Sequence, residues 1–214
     1  MTVVPAAHLA AFAAVSAVVI AAPGPSVLFT ISRALTAGRT TALLNVIGNA
    51  AGVASQVAAV ALGVGGVVER SAQVFTVVKL VGAAYIVFLG VQAVRHRHSL
   101  ARAIAARAAP ISARRALRDG FVVGAMNPKT IAFFVIALPQ FTAPGAGTAT
   151  WQLLQLGALF PLISVILDSV WALAAGTASH WLSSSPKRLA AIGGAGGLVM
   201  IGLGVSLAAT GRKN

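Results

Sequence analysis

Residues 40–68 read TTALLNVIGNAAGVASQVAAVALGVGGVV, 29 consecutive positions without Asp, Glu, Lys or Arg. About 20 mostly apolar residues are enough for a helix to cross a bilayer, so this stretch predicts a membrane-spanning helix. Other stretches resemble it. Residues 189–211 form a second uncharged run of 23, Arg33 is the only charge before Gly38, and Asp168 is the only charge between Thr130 and Pro186. Of the 214 residues, 58% are hydrophobic and only 9% charged. A soluble domain carries roughly 25% charged residues, and so few charges would leave a water-exposed surface uncovered. The composition therefore predicts an all-α membrane protein.

Working outward from residues 40–68, breaks fall where charges and turn residues cluster. They predict six spans near 6–32, 41–67, 72–94, 119–141, 150–178 and 189–209. The whole chain, 1–214, reads as one transmembrane domain, with halves of about 1–94 and 119–214 joined by a basic loop at 95–118. That loop holds Arg95, Arg97, Arg102, Arg107, Arg114, Arg115 and Arg118. With six spans it shares a side with Arg33, Arg39, Lys187 and Arg188, which makes eleven basic residues against three (Arg70, Arg212 and Lys213) on the other. Lys- and Arg-rich loops stay cytoplasmic, so both termini are expected to face outward. The net charge of +13, which in a soluble chain would suggest nucleic acid, is explained by topology, and no nucleic-acid partner is expected. Residues 1–22 lack the basic stretch a cleaved signal would need. Leu100, Ile104 and Ile111 sit among the arginines at helical spacing, as in a helix lying on an anionic membrane. An irregular basic linker is the other reading.

The halves look related. Pro23-Gly24-Pro25 interrupts the first span and Asn127-Pro128 the fourth, with Pro128 lying 105 positions after Pro23. Gly82–Gly90 matches Gly196–Gly204 in glycine spacing, 114 positions on. Three spans per half would invert the second half relative to the first. Inverted repeats with matching interrupted helices point to a transporter, with its substrate site at the interruptions. Chance recurrence of Gly and Pro, common in membrane helices, is the alternative.

Interrupted backbone within hydrocarbon needs polar partners or a protein-lined aqueous cavity. That makes Pro23, Gly24, Pro25, Ser26, Asn127 and Pro128 candidate binding residues. Lys129 and Asp168 fall near the middle of the fourth and fifth spans, where an ionised group costs at least about 2.5–3.5 kcal/mol. Their opposite signs suggest pairing with each other, or Lys129 attracting a carboxylate while Asp168 holds an amine or takes up protons. Asp168 is the only carboxylate deep in a span, hence the candidate proton carrier. Asn45, Asn49, Ser55 and Gln56 put polar groups on the second span, and Asn49 is the one assigned to substrate contact. Gly48-x-x-x-Gly52 suits close helix packing. Lys79 reads as structural, Trp151 and Trp181 as interfacial anchors, and Trp171 as either lining the Asp168 cavity or packing. The chain has no cysteine and four scattered histidines, so neither thiol chemistry nor a metal site is expected. No cofactor is expected either. No phosphate-binding glycine loop followed by Lys-Ser/Thr occurs, and no catalytic constellation of an enzyme emerges.

These same residues resemble the lysine/homoserine exporter family (LysE/RhtB type). The likeness runs through Ala22-Pro-Gly-Pro-Ser26, Ala37-Gly38-Arg39, Gly48-Asn-Ala-Ala-Gly52, Lys79-Leu-Val-Gly-Ala-Ala-Tyr85 with Leu89-Gly90, and Gly120-Phe121. It continues through Asn127-Pro-Lys129, Phe133-Phe134, Leu138-Pro-Gln-Phe141, and Asp168 with Trp171. Ser26 stands where the family usually has Asn, which bears on substrate preference. The resemblance implies a secondary active exporter of amino acids or close derivatives across the bacterial inner membrane, coupled to the proton gradient. A passive channel or ion-efflux protein is the rival reading. The expected partners are an amino-acid substrate, protons and the lipid bilayer, and a homo-oligomer is compatible with the pattern.

Overall fold

A computed structural model describes residues 4–70, 72–98 and 111–209. Among these residues the chain is helical, without strands: α1 (Ala6–Ala21), α2 (Pro25–Ala37), α3 (Arg39–Arg70), α4 (Ala72–Arg95), α5 (Ala113–Ala125), α6 (Pro128–Ala137), a 3-10 turn (Leu138–Phe141), α7 (Ala149–Thr177), the short α8 (Ser179–Ser183) and α9 (Pro186–Ala209). Three helices, α3 over Arg39–Gly63, α7 and α9, are long and apolar enough to cross a membrane. The bent pairs α1–α2 and α5–α6 bring the count to five if each is one span, and α4 adds a shorter apolar stretch at Leu80–Arg95. Leu162, Ile166 and Val170 line one exposed face of α7, and Leu62 and Leu198 are likewise uncovered on α3 and α9. In water these faces would be adhesive, but against lipid they are matched. The molecule is a multi-pass membrane protein.

The two expected interruptions are present. α1 and α2 meet at 51° across Ala22–Gly24, and the α5 and α6 arms meet at 44° across Met126–Asn127. Prolines set both breaks. Ala22, Gly24 and Asn127 each precede a proline, and all three are extended (ψ 114°, −166° and 110°). The ring of the following proline disfavours the helical region for the residue before it. Pro25 and Pro128 then open α2 and α6, where a missing N–H costs nothing.

Some boundaries differ from the sequence reading. α2 runs to Ala37, past the expected end of the first span at 32, and Gly38, at φ 85°, ends it ahead of α3. Glycine adopts that left-handed conformation without a Cβ penalty. α5 begins at Ala113, six residues before the expected fourth span, because Ser112 caps it by accepting from Arg115 N at 3.4 Å. Arg114, Arg115 and Arg118 therefore ride on a helix rather than in a loop. Asp119 on α5 takes Arg33 of α2 at 2.9 Å, joining two elements of the basic face. Leu100 and Ile104 of the expected surface helix, and the side chain of Lys79, lie outside the described residues.

Backbone proximity holds α3 against α5. A Cβ on Gly48 would strike the Leu117 carbonyl, one on Gly52 the Phe121 carbonyl, one on Gly120 the Asn45 carbonyl and one on Gly124 the Asn49 carbonyl. Gly48-x-x-x-Gly52 is thus a packing seam as expected, and Gly120-x-x-x-Gly124 is its unforeseen counterpart. α4 and α9 repeat the device at Gly90 and Gly197, where each absent Cβ would lie 2.6 Å from the other's carbonyl oxygen.

Two apolar clusters bracket the middle of the bundle. One contains Ile20, Val53 and Phe160, with Phe12, Phe133 and Phe134 completing an aromatic group. The other contains Val27, Val46 and Ala172. Along α1–α2, α3 and α7 the polar residues Ser26, Asn49 and Asp168 fall between them. Trp171 packs against the second cluster.

Gly124→Val should lower unfolding stability in mixed micelles by at least about 2 kcal/mol, since backbone faces it and cannot yield as a side chain would. Gly63→Ala, with nothing within 4 Å, should leave the same unfolding curve nearly unmoved.

Candidate functional site

The last carbonyls of a helix have no partner within the helix, and the first helix of each bent pair, α1 and α5, ends in this way among buried residues. The end of α1 is met by Lys129 from α6. Its Nζ donates to the carbonyls of Val19 and Ala22, each at 3.0 Å. A cation at a helix C-terminus also opposes the negative end of the dipole. Gly24 makes room for it, because a Cβ there would lie 2.9 Å from Nζ. The end of α5 is met by Gln56 from α3, whose Nε2 reaches the carbonyls of Gly124 at 2.8 Å and Ala125 at 3.0 Å, with Asn127 O at 3.3 Å. Thr130 holds Gln56 in turn, donating from Oγ1 to Oε1 at 2.7 Å.

Asn127 connects the two breaks. Its Oδ1 accepts from Lys129 N at 3.1 Å, capping α6, while its Nδ2 donates to Ser26 Oγ at 2.7 Å. Pro23 is buried, with its carbonyl pressed against Gly196 of α9, where a Cβ would collide. Pro25 is exposed. Pro128 lines an apolar groove with Val77, Val81, Gly82, Tyr85 and Ile131. These two prolines shape the breaks, and their rings add no polar group to the cluster.

Asp168 and Lys129 are each only 3% exposed. No ion pair within 4.0 Å joins them among the described residues, so they form no contact salt bridge, yet each lies within electrostatic reach of the other's charge. Lys129 is held by backbone carbonyls, and Asp168 accepts from Asn49 Nδ2 at 3.3 Å through Oδ2. Asp168 Oδ1 and Asn49 Oδ1 are buried and have no partner among the described residues. Asn45, one turn from Asn49 on α3, donates to Thr30 Oγ1 at 3.1 Å and leaves its own Oδ1 unpartnered.

The structure therefore brings Ser26, Asn127, Lys129 and Gly24 together at the breaks and sets Asn49 on Asp168. Gln56 and Thr130 emerge as parts of the same polar system. Asn45, Asn49, Gly52 and Gln56 are spaced by four, three and four residues, which is one face of a helix, and that spacing was a legible signal for Gln56. No group of three or more metal-ligating side chains occurs among the described residues.

Interrupted helices whose ends are satisfied by buried polar side chains define a helical membrane protein with a polar interior. The chain belongs to the LysE type translocator family, whose model matches residues 17–211. An uncharacterized membrane protein of Vibrio cholerae is 37% identical over 123 residues, covering 58% of this chain and 59% of that protein. A homoserine/homoserine lactone efflux protein of Salmonella typhimurium is 27% identical, covering 87% of this chain and 88% of its own length. A threonine efflux protein of Salmonella typhi is 27% identical, covering 67% and 71%. No solved structure matches the chain.

Lys129→Met should cost about 1–3 kcal/mol of folding stability, because it strands two buried carbonyls, and Gln56→Leu should do the same at the other break. Gly24→Ala should cost less, since the flexible end of Lys129 can withdraw from the new methyl group. Chemical unfolding in mixed micelles orders the three variants.

Proposed function

We propose that this chain is a secondary active exporter of amino acids or close derivatives across the bacterial inner membrane, coupled to the proton gradient. The observation that carries the reading is the pair of interrupted helices with buried Lys129, Asp168 and Asn49 between two apolar clusters. Such groups are tolerated inside a bilayer where protein or an aqueous cavity surrounds them, and they mark substrate and proton paths. The family, and relatives named for homoserine, homoserine lactone and threonine efflux, support an amino-acid cargo.

In this account the chain is one transmembrane domain of six spans, α1–α2, α3, α4, α5–α6, α7 and α9, arranged as two inverted three-span repeats. Two features favour the repeat. Each half contains one span broken just before a proline-started helix, and the third spans of the halves, α4 and α9, pack glycine to glycine. The Arg33–Asp119 face is cytoplasmic and both termini are outside, following the excess of basic residues. Residues 23–26 and 127–129 form the site. Ser26 and Asn127 link the two breaks, Lys129 provides the positive charge facing a carboxylate, and Asp168 engages the amine or carries the proton. Rocking of one repeat against the other would expose the site to each side in turn.

Counterflow of radiolabelled amino acids in proteoliposomes tests this. Wild-type protein should give saturable uptake that responds to an imposed pH gradient and is abolished by a protonophore. Asp168→Asn should reduce gradient-driven flux to a few per cent or less, at the scale of losing a general acid–base group. Unsaturable flux would indicate a passive pore, and undiminished flux in Asp168→Asn would remove that carboxylate from the mechanism.

A further inference from the structure

We propose that Asp168 and Asn49 form a seat for the cargo's ammonium group, so that transport requires the amine while the carboxylate is dispensable. The inference deepens the exporter reading and rests on it. Buried polar atoms are almost always hydrogen-bonded in folded proteins, and each exception needs a reason. Five buried side-chain atoms lack a partner among the described residues, and three of them are oxygens that, with Asp168 ionised, only accept: Asn45 Oδ1, Asn49 Oδ1 and Asp168 Oδ1; a fourth, Ser16 Oγ, is a hydroxyl that can also donate. The fifth, Arg33 Nε, belongs to the side chain paired with Asp119. Around Asn49 and Asp168 acceptors are thus in excess of donors.

Asn49 adjoins Asp168 through its amide nitrogen. The opposite rotamer would put a carbonyl oxygen against a carboxylate oxygen, two acceptors with no hydrogen between them. The contact fixes the amide with its oxygen free, beside a carboxylate that also has a free oxygen. One ammonium group carries three hydrogens and a positive charge, and it can satisfy both oxygens at once. A carboxylate cannot, since it only accepts. Asn45 Oδ1, four residues earlier on the same face of α3, extends the row of acceptors.

Lys129 does not offer a matching seat for a carboxylate. Two of its three ammonium hydrogens are committed to Val19 O and Ala22 O, and Gly24 presses close to its tip. It acts on a carboxylate mainly as a nearby charge. Gln56 Nε2 is fully committed, with three carbonyls around its two hydrogens, and Asn127 Nδ2 spends one of its two on Ser26 Oγ. Direct recognition is concentrated at the nitrogen end of the cargo. A site built to bond a particular N–H discriminates strongly against an analogue lacking it, because its own buried groups are then left unpaired.

The test uses the full-length wild-type chain in proteoliposomes, with radiolabelled homoserine, threonine and lysine as tracers. Each tracer that is carried is competed with its own methyl ester, which keeps the ammonium and blocks the carboxylate, and with its own N-acetyl derivative (for lysine the Nα,Nε-diacetyl compound), which does the reverse. The pH is set where the ester's amine is protonated. The ester should compete within about threefold of the parent, and the N-acetyl compound should be weaker by at least about a hundredfold. N-acetyl compounds competing as well as the parent, or esters failing to compete, would overturn the ammonium seat while leaving the exporter reading intact. Saturable counterflow of none of the tracers would remove the exporter reading and the seat together. Because the comparison is made on unmodified protein, a folding defect cannot imitate either result.

Discussion

A helix that stops inside a bilayer leaves carbonyl groups that hydrocarbon cannot satisfy, and this structure answers that constraint twice with a side chain from elsewhere. Lys129 closes the end of α1 and Gln56 closes the end of α5. Neither donor belongs to the helix it caps, so each break holds only while distant parts of the chain are assembled around it. Asn127 then ties one break to the other through Ser26. The backbone is free to break twice inside the bundle because the tertiary structure supplies the missing donors.

That solution requires α3 to come very close to α5. Gln56 reaches Gly124 and Ala125 only because the glycines of both helices let their backbones touch. The same seam fixes the height of Asn49, whose carbonyl lies against Gly124 while its side chain turns to Asp168. Packing and polar chemistry are therefore not separable along α3. One helix face carries the contact glycines, the cap for α5 and the partner of the buried carboxylate.

Much of this was legible in the sequence. Charge-free runs such as 40–68 imposed helices, and the Pro23–Pro25 and Asn127–Pro128 elements marked both breaks, because the ring of proline acts on its immediate neighbour in any surroundings. Gly38 and Ser112 shifted two boundaries through local turn and cap geometry that apolar runs do not report. The candidate site was legible as a set of buried polar residues rather than as an arrangement. Lys129 and Asp168 stand out as buried charges, yet nothing in their spacing says that one would turn to backbone carbonyls and the other to Asn49. Residue type identifies a donor, but only the fold determines which acceptor it meets. The partner of Gly48-x-x-x-Gly52 was likewise invisible until α5 was seen beside it.

The most direct test asks whether water and cargo reach the breaks. The chain contains no cysteine, so Ser26→Cys introduces a single thiol at the junction of the two interruptions. A membrane-impermeant thiol reagent applied to reconstituted protein should label it, and a transported amino acid should slow the labelling. A thiol that reacts from neither side of the membrane, or one whose labelling is indifferent to every cargo that crosses, would contradict a substrate path through this point.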